Sequence, residues 1–318
     1  MIKKIFAIIL SLTMIVSLAA CTNSDKNQIV KIGLLSIDDS LPFFMAEELG
    51  LYEKHNVDVE LYTFQSAADK EAALEAGEID GDMTDLVVTA LIRKGGTGVQ
   101  IVSNALGAVP SEGRFMLLAA PESGITEPND LAGKEVAVGN NTIVHYLSDT
   151  ILAKAGLDDS EIKSTNIPAL SLRLEALLNG TVDAAVLPDP LASLAVAQGA
   201  ICVFDDTKSE DNLSQSIVLF RDDSLEKKHA EIGRCMDAYF EAMEYINEHP
   251  EAKDVRDAIL KFTSIPETLF DSYKTPTYSP ATLPSEEVIN STMNWMLKKG
   301  LLDSVYTYTD LVIDSFAK

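Results

Sequence analysis

The chain has 318 residues, 47% of them hydrophobic and 23% charged, which is ordinary usage for a folded body and excludes disordered, collagen-like and disulfide-scaffold classes. Its 25 Lys and Arg stand against 49 Asp and Glu, a formal charge of −24. That balance argues against a nucleic-acid partner, because gripping a phosphate backbone needs clustered cations that displace counterions.

The first 20 residues have the form of a secretory signal: Lys3 and Lys4, an apolar run from Ile5 to Ala20, and small residues at its border. The run falls short of the roughly 20 apolar residues of a spanning helix, and polar residues follow at once. Leu18 to Cys21, LAAC, resembles the lipobox of bacterial lipoproteins, in which the cysteine is acylated and becomes the new N-terminus. The expectation is a signal peptide over 1–20, lipidation at Cys21, a short spacer over 21–28, and a mature protein outside the cytoplasmic membrane, held there by lipid. Cleavage leaves 298 residues, and loss of Lys3 and Lys4 takes the charge to −26. At roughly 100–200 residues per domain, this length suits two compact domains.

From Ile29 short apolar strands alternate with helical stretches. Ile29 to Leu35 reads as a strand, Ser40 and Pro42 start a helix that stops at Gly50, and Val57, Val59 and Leu61 alternate as a strand. A helix over 67–76 ends at Gly77, Ile79 to Met83 is a strand, and Gly95 to Gly98 turns into another at Val99 to Ser103. Strand 135–138, helix 142–155, and the segments 162–167, 170–178 and 184–187 repeat the alternation. The stretch from Ala73 to Leu86, ALEAGEIDGDMTDL, is echoed from Ala176 to Leu191, ALLNGTVDAAVLPDPL. Both have a helix ending at Gly, an aliphatic residue followed by Asp, and an acidic strand tip. Strand–helix alternation implies mostly parallel sheets, and the echo implies two α/β lobes of one plan. Helices fill the end of the chain, over 225–248, 251–262 and 286–299. Crossings between lobes are expected near Val109 to Leu117 and Leu213 to Phe220, giving lobe 1 as 29–116, lobe 2 as 117–217, and a return to lobe 1 with its C-terminal helices over 218–318. Cys202 and Cys235 both sit in apolar patterns and read as buried core thiols.

Four segments carry a family resemblance: Lys31 to Phe64, Glu71 to Asp85, Glu122 to Val138, and Gly180 to Ala192. They resemble the type II periplasmic-binding fold, and within it the nitrate, sulfonate, taurine and thiamine-precursor branch of ABC-transporter solute-binding proteins. The resemblance implies two α/β lobes joined by a hinge, C-terminal helices packed on lobe 1, capture of a small solute in the cleft, and delivery to a membrane permease driven by an ATPase. It implies a monomer without cofactor or metal, and no chemistry of its own. It also implies ligand contacts in the loops after the strands: Asp38, Asp39, Ser40, Phe43, Gln65, Ser66, Thr84, Asp85 and Asn104 in lobe 1, and Asn140, Asn141, Thr142, Pro188 and Asp189 in lobe 2. The chain has Gly139 to Thr142, GNNT, where the family often has a Gly-Ser-Thr-rich loop, and Pro188-Asp189-Pro190 where it often has aromatic-Glu-Pro.

Each site has a structural alternative. Asp38, Asp39, Asp85, Asp189 and the Asn140 to Thr142 turn are equally suited to capping helices, Phe43 to core packing, and Arg114 to a solvated position rather than a hinge clamp. Trp295 reads as helix packing. The acidic loop tips, with Asn and Thr beside them, point to a solute bearing amine or amide N–H groups, for example a pyrimidine; a sulfonate or nitrate calls for more positive charge than these loops supply. His55, His145, His229 and His249 make no zinc motif, and no P-loop or GxSxG elbow occurs. The alternative functions are a lyase or dehydratase on the same fold, for which Asp85 and Asp189 are the visible acid/base pair, and a lipoprotein presenting ligand to a sensor.

Overall fold

The computed structural model describes residues 28–112, 115–209, 213–263 and 265–316. The expected signal peptide, Cys21 and Arg114 lie outside the described residues.

Ten strands form two five-stranded sheets. The strands are β1 (Val30–Leu35), β2 (Val59–Phe64), β3 (Gly81–Asp85), β4 (Val99–Leu106), β5 (Phe115–Ala119), β6 (Glu135–Val138), β7 (Lys163–Asn166), β8 (Ala184–Pro188), β9 (Ile201–Asp205) and β10 (Ser216–Arg221). The first sheet runs β2-β1-β3-β10-β4 and the second β7-β6-β8-β5-β9. In each, one strand runs against its neighbours: β10 is antiparallel to β3 and β4, and β5 to β8 and β9. The sheets are therefore mixed, and the second repeats the first, with β6 to β9 in the places of β1 to β4. The antiparallel strand of each sheet is the one entered straight after the chain crosses between lobes. The sequence echo falls on equivalent places, β3 and β8. Strand β3 begins two residues later than the apolar pattern suggests, and all five of its residues are buried, Asp82 among them.

Helix α1 (Leu41–Glu48) has Pro42 in its first turn, where a missing N–H costs nothing, and α2 (Leu51–Lys54) follows Gly50. Helix α3 (Ala67–Glu75) is capped by Ser66, which accepts from the Asp69 N–H, and α4 (Leu86–Lys94) by Asp85, which accepts from the Val88 N–H. Lobe 2 carries α5 (Ile143–Lys154), α6 (Leu170–Leu178) and α7 (Leu191–Ala197). After β10 come α8 (Asp222–Lys227), α9 (His229–Glu248), α10 (Lys253–Phe262), α11 (Glu286–Lys298) and α12 (Tyr308–Leu311). Helices α9 and α10 pack on α1. The stripe Ile232, Cys235, Met236, Tyr239, Met243 and Ile246 of α9 is buried there, the consequence of apolar residues three and four apart on one helix face. Helix α11 packs on α4 and also reaches lobe 2: Tyr146 bonds Ser291 at 3.0 Å, the Trp295 indole N–H donates to Asp149 at 3.1 Å, and Lys299 pairs with Asp149 at 2.7 Å.

The two connections between the lobes, β4 to β5 and β9 to β10, pass close together. Gly107 (φ +81°) lies between them, where a Cβ would sit 2.0 Å from the Ser214 carbonyl oxygen, so only glycine fits. Asp206 holds both strands, accepting from the Phe115 N–H at 2.9 Å and from the Ser214 hydroxyl. Cys235 is buried as expected, but Cys202 is exposed. It lies on β9, an edge strand of the second sheet.

Candidate functional site

A cavity of about 280 Å³ lies between the lobes, near the lower end of small-ligand pockets, about 300–1,000 Å³. Lobe 1 lines it with Leu35, Ile37 and Asp39 after β1, with Lys70, Glu71 and Glu75 of α3, and with Met83, Thr84 and Asp85 at the end of β3. Lobe 2 contributes the Gly139 to Thr142 turn after β6, Ile143 and Val144 of α5, Pro168, Leu170 and Arg173 around α6, and Pro188 at the end of β8. Strand carboxyl ends facing one another across a cleft are where ligands collect in α/β sheets.

Asp85 ties the two walls together. One carboxylate oxygen caps its own helix through the Val88 N–H at 2.9 Å; the other accepts the Ile143 N–H of lobe 2 at 3.0 Å. The N–H end of α5 is thus met by a carboxylate of the opposite lobe. Burial pushes the Asp85 carboxyl above its ordinary range, and these two N–H groups pull the other way. A second bond between the lobes runs from the Asp38 N–H to the Asp189 carbonyl at 3.3 Å.

Beneath the lobe 1 wall is a buried charge cluster. Lys70 is fully buried, with its Nζ 2.7 Å from Asp82 and 3.2 Å from Glu71, and the Thr84 hydroxyl donates to Glu71 at 3.3 Å. Burial works against the ammonium, but Asp82 and Glu71 outweigh it and hold Lys70 above the ordinary lysine value. Burial raises the Glu71 carboxyl well above its ordinary range, while Lys70 pulls the other way. Asp39, 3% exposed, accepts from the Ser216 hydroxyl and is raised to about 6 by burial, with Asp189 and Asp85 adding repulsion. It is still mostly ionised at pH 7. On the lobe 2 wall Arg173 is 2% exposed and donates to the carbonyls of Ile167 (2.9 Å), Val186 (3.1 Å) and Pro168 (3.2 Å). Burial alone lowers it to about 10, which leaves it charged.

Of the residues singled out in the sequence, the structure brings Asp39, Thr84, Asp85, Asn140, Asn141, Thr142 and Pro188 to the cavity wall. The others take different places. Phe43 lies in the lobe 1 core with its ring 4.2 Å from that of Tyr239. Ser66 caps α3, and Gln65 is exposed. Asp38 accepts from the Tyr273 hydroxyl, and Ser40 is buried beside it. The Asn104 amide donates to Thr282 at 3.1 Å, and Asp189 accepts the Ser193 N–H at 2.8 Å in the first turn of α7. With Asp85 and Asp189 both held by main-chain N–H groups, the pair resembles two caps more than an acid and a base. Lys70, Glu71, Arg173 and Ser216 line the cavity without having been picked out from the sequence. Their signal is weak, because a lone Lys or Arg on a helix normally faces water. Two cations in the wall also mean more positive charge at the site than the loops alone suggest. Among the described residues no cluster of His, Cys, Asp and Glu is placed to hold a metal ion, and no helix is long and apolar enough to cross a membrane.

A family model described as NMT1/THI5-like matches residues 38–253. No curated protein matches the chain at the sequence level. Among solved structures, the ligand-binding component of an ABC-type import system from Staphylococcus aureus is similar at 14% identity with a TM-score of 0.78, covering 92% of this chain and 98% of that one. The alkanesulfonate-binding protein SsuA from Xanthomonas axonopodis pv. citri, bound to MOPS, is 18% identical with a TM-score of 0.75, covering 89% and 97%. The periplasmic aliphatic sulphonate-binding protein SsuA from Escherichia coli is 22% identical with a TM-score of 0.73, covering 90% and 98%. At these identities the likeness is one of fold, and the fold is that of the periplasmic binding proteins.

Proposed function

We propose that this chain, which belongs to the NMT1/THI5-like family, is the solute-binding component of an ABC importer, taking a small solute with amine or amide N–H groups, such as an aminopyrimidine, into the interlobe cavity. The observation that carries this reading is Asp39: a buried carboxylate on the cavity wall with two further carboxylates, Asp85 and Asp189, as its charged neighbours. A buried ion of that kind is stabilised by a donor or a cation brought by a ligand. Glu71 and Thr84 offer further hydrogen-bonding groups on the same wall, and Ile37, Val88, Pro168 and Leu170 offer apolar surface to the body of the solute.

The leader and lipobox support a protein that is exported and tethered through lipid on Cys21, with permease and ATPase subunits as its partners in the membrane and no nucleic acid among them. Closure of the lobes on the solute would present the shape the permease recognises. Titration calorimetry of the wild type and of Asp39→Asn with a set of aminopyrimidines and primary amines tests this reading. Binding in the wild type that weakens at least tenfold in the variant supports it; equal binding by both proteins removes Asp39 from the site.

A further inference from the structure

His145, in the first turn of α5, stands where the cavity wall, the opposite lobe and α11 come together. Its Nδ1 accepts from the Asn141 main-chain N–H at 3.1 Å, so the ring is neutral with its proton on Nε2. Asn141 lines the cavity in the left-handed region (φ +61°), and two residues on, the Ile143 N–H donates to Asp85 of lobe 1 at 3.0 Å. On the other side of the ring, Nε2 is 3.8 Å from an Asp149 oxygen that has no hydrogen bond among the described residues. The second Asp149 oxygen holds the Trp295 indole and Lys299, and the Trp295 ring meets His145 edge-on at 5.4 Å. His145 and Asp149 are both buried. The charged groups that face His145 are Asp149 of its own helix and Lys299 at the end of α11. Strands β6 and β8, helix α4 and the turn at Pro128–Leu131, which also pack on α5, bring it no charge among the described residues.

We propose that His145 is a proton-sensitive positioning residue for the contact between the lobes: neutral, it holds the Asn141 turn at the cavity wall and so keeps the Ile143 N–H on Asp85; protonated at Nδ1, it releases Asn141 and turns to the open oxygen of Asp149. An imidazolium has two donors and no acceptor, so the Asn141 N–H then faces another N–H, whereas the Asp149 oxygen gains a charge-assisted partner. Acid thereby loosens the turn and the bond that joins the lobes beside it. Burial holds the His145 imidazole below its ordinary value; Asp149 pulls the other way and Lys299 adds to burial. The fold favours the neutral ring, a preference present in full above the unfolded value and lost as pH falls through the folded one. Raised carboxyls elsewhere respond with the opposite sign, so global melting does not isolate this residue. The inference concerns the lobe contact and does not depend on which solute fills the cavity.

The test is hydrogen–deuterium exchange of the full chain in mild detergent, read at Asn141 and Ile143 at pH 8 and pH 5. His145→Leu, which has no acceptor, is the reference at each pH, so that the intrinsic pH dependence of exchange cancels. At pH 8 the wild type should exchange about tenfold more slowly than His145→Leu, the size expected from one hydrogen bond; at pH 5 the two should agree within about twofold. His145→Asn, whose amide oxygen stands near the Nδ1 position and takes no proton, should stay slow at both. In the wild type the emission of Trp295, the only tryptophan, should fall over the same pH range as the imidazolium forms beside it. Wild-type protection that persists at pH 5, or a His145→Leu protein as protected as wild type at pH 8, overturns the inference. So does a His145→Asn protein that loosens at pH 5 like the wild type, because the response then belongs to Asp85, whose carboxyl burial also raises.

Discussion

Lys70→Met is the most informative single change to the lobe 1 wall. The ammonium sits 2.7 Å from Asp82, and both side chains are essentially without solvent contact. Methionine keeps the length of the aliphatic stem, so packing changes little and the loss is electrostatic. Removing one partner of a buried pair costs about 3–5 kcal/mol, because the remaining ion stays uncompensated. In urea unfolding at pH 7 the single variant should lose about that much. The double variant Lys70→Met/Asp82→Leu should recover at least half, since an apolar pair of similar volume leaves no stranded charge. In the single variant, burial raises the folded Asp82 pKa above its unfolded value, so the proton binds more tightly in the fold. The stability tied to that proton is fully present below the unfolded pKa and is lost as pH rises through the folded one. The deficit against wild type should therefore be smaller at pH 5 than at pH 8. A single variant within about 1 kcal/mol of wild type, or a double variant no better than the single, would refute the reading of Lys70 as a buried counter-ion.

Three further outcomes are expected. Asp39, Asp206 and Glu71 are raised by burial to about 6, about 7 and about 8; each raised carboxyl favours the fold at low pH and loses that contribution as pH climbs through its folded value, so the melting temperature should be higher at pH 5 than at pH 8, and Glu71→Gln should flatten the profile. Trp295 is the only tryptophan of the chain and bonds Asp149 across the lobes; Asp149→Ala should red-shift its emission and lower the urea midpoint, and an unchanged spectrum would place the indole away from that seam. Cys202 is exposed, whereas Cys235 is buried with its thiol pushed up to about 12; in the native protein a chromogenic disulfide reagent should modify Cys202 quickly and Cys235 only after unfolding, as read by mass spectrometry.

Much of the fold was legible because strands and helices differ in period. The glycine-ended helices and acidic strand tips at Ala73 to Leu86 and Ala176 to Leu191 became matching parts of two sheets. The antiparallel strands were not legible, since period gives a strand but not its direction. The loops after β3 and β6 pointed to the cavity, whereas Phe43 and Asp38 did not, because one helical turn decides between cleft and core. Ser66 and Asp85 cap helices as their local sequence allows, yet only Asp85 also reaches the other lobe, a contact no local pattern encodes. Lys70 and Arg173 were invisible for the opposite reason: each looks like a surface cation until the sheet and the facing lobe close over it.

An N–H-bearing solute held in the interlobe cavity through Asp39 should stabilise the folded protein. Thermal unfolding of the full chain against pyrimidines and other amines, sulfonates, nitrate and carboxylates tests it most directly. A ligand at about 100 times its dissociation constant adds about 2.7 kcal/mol, enough to raise the melting temperature by several degrees. Such a rise is expected with an amine-bearing compound, together with its loss in Asp39→Asn; a rise confined to nitrate and simple sulfonates, unaffected by that substitution, would rule out binding through Asp39.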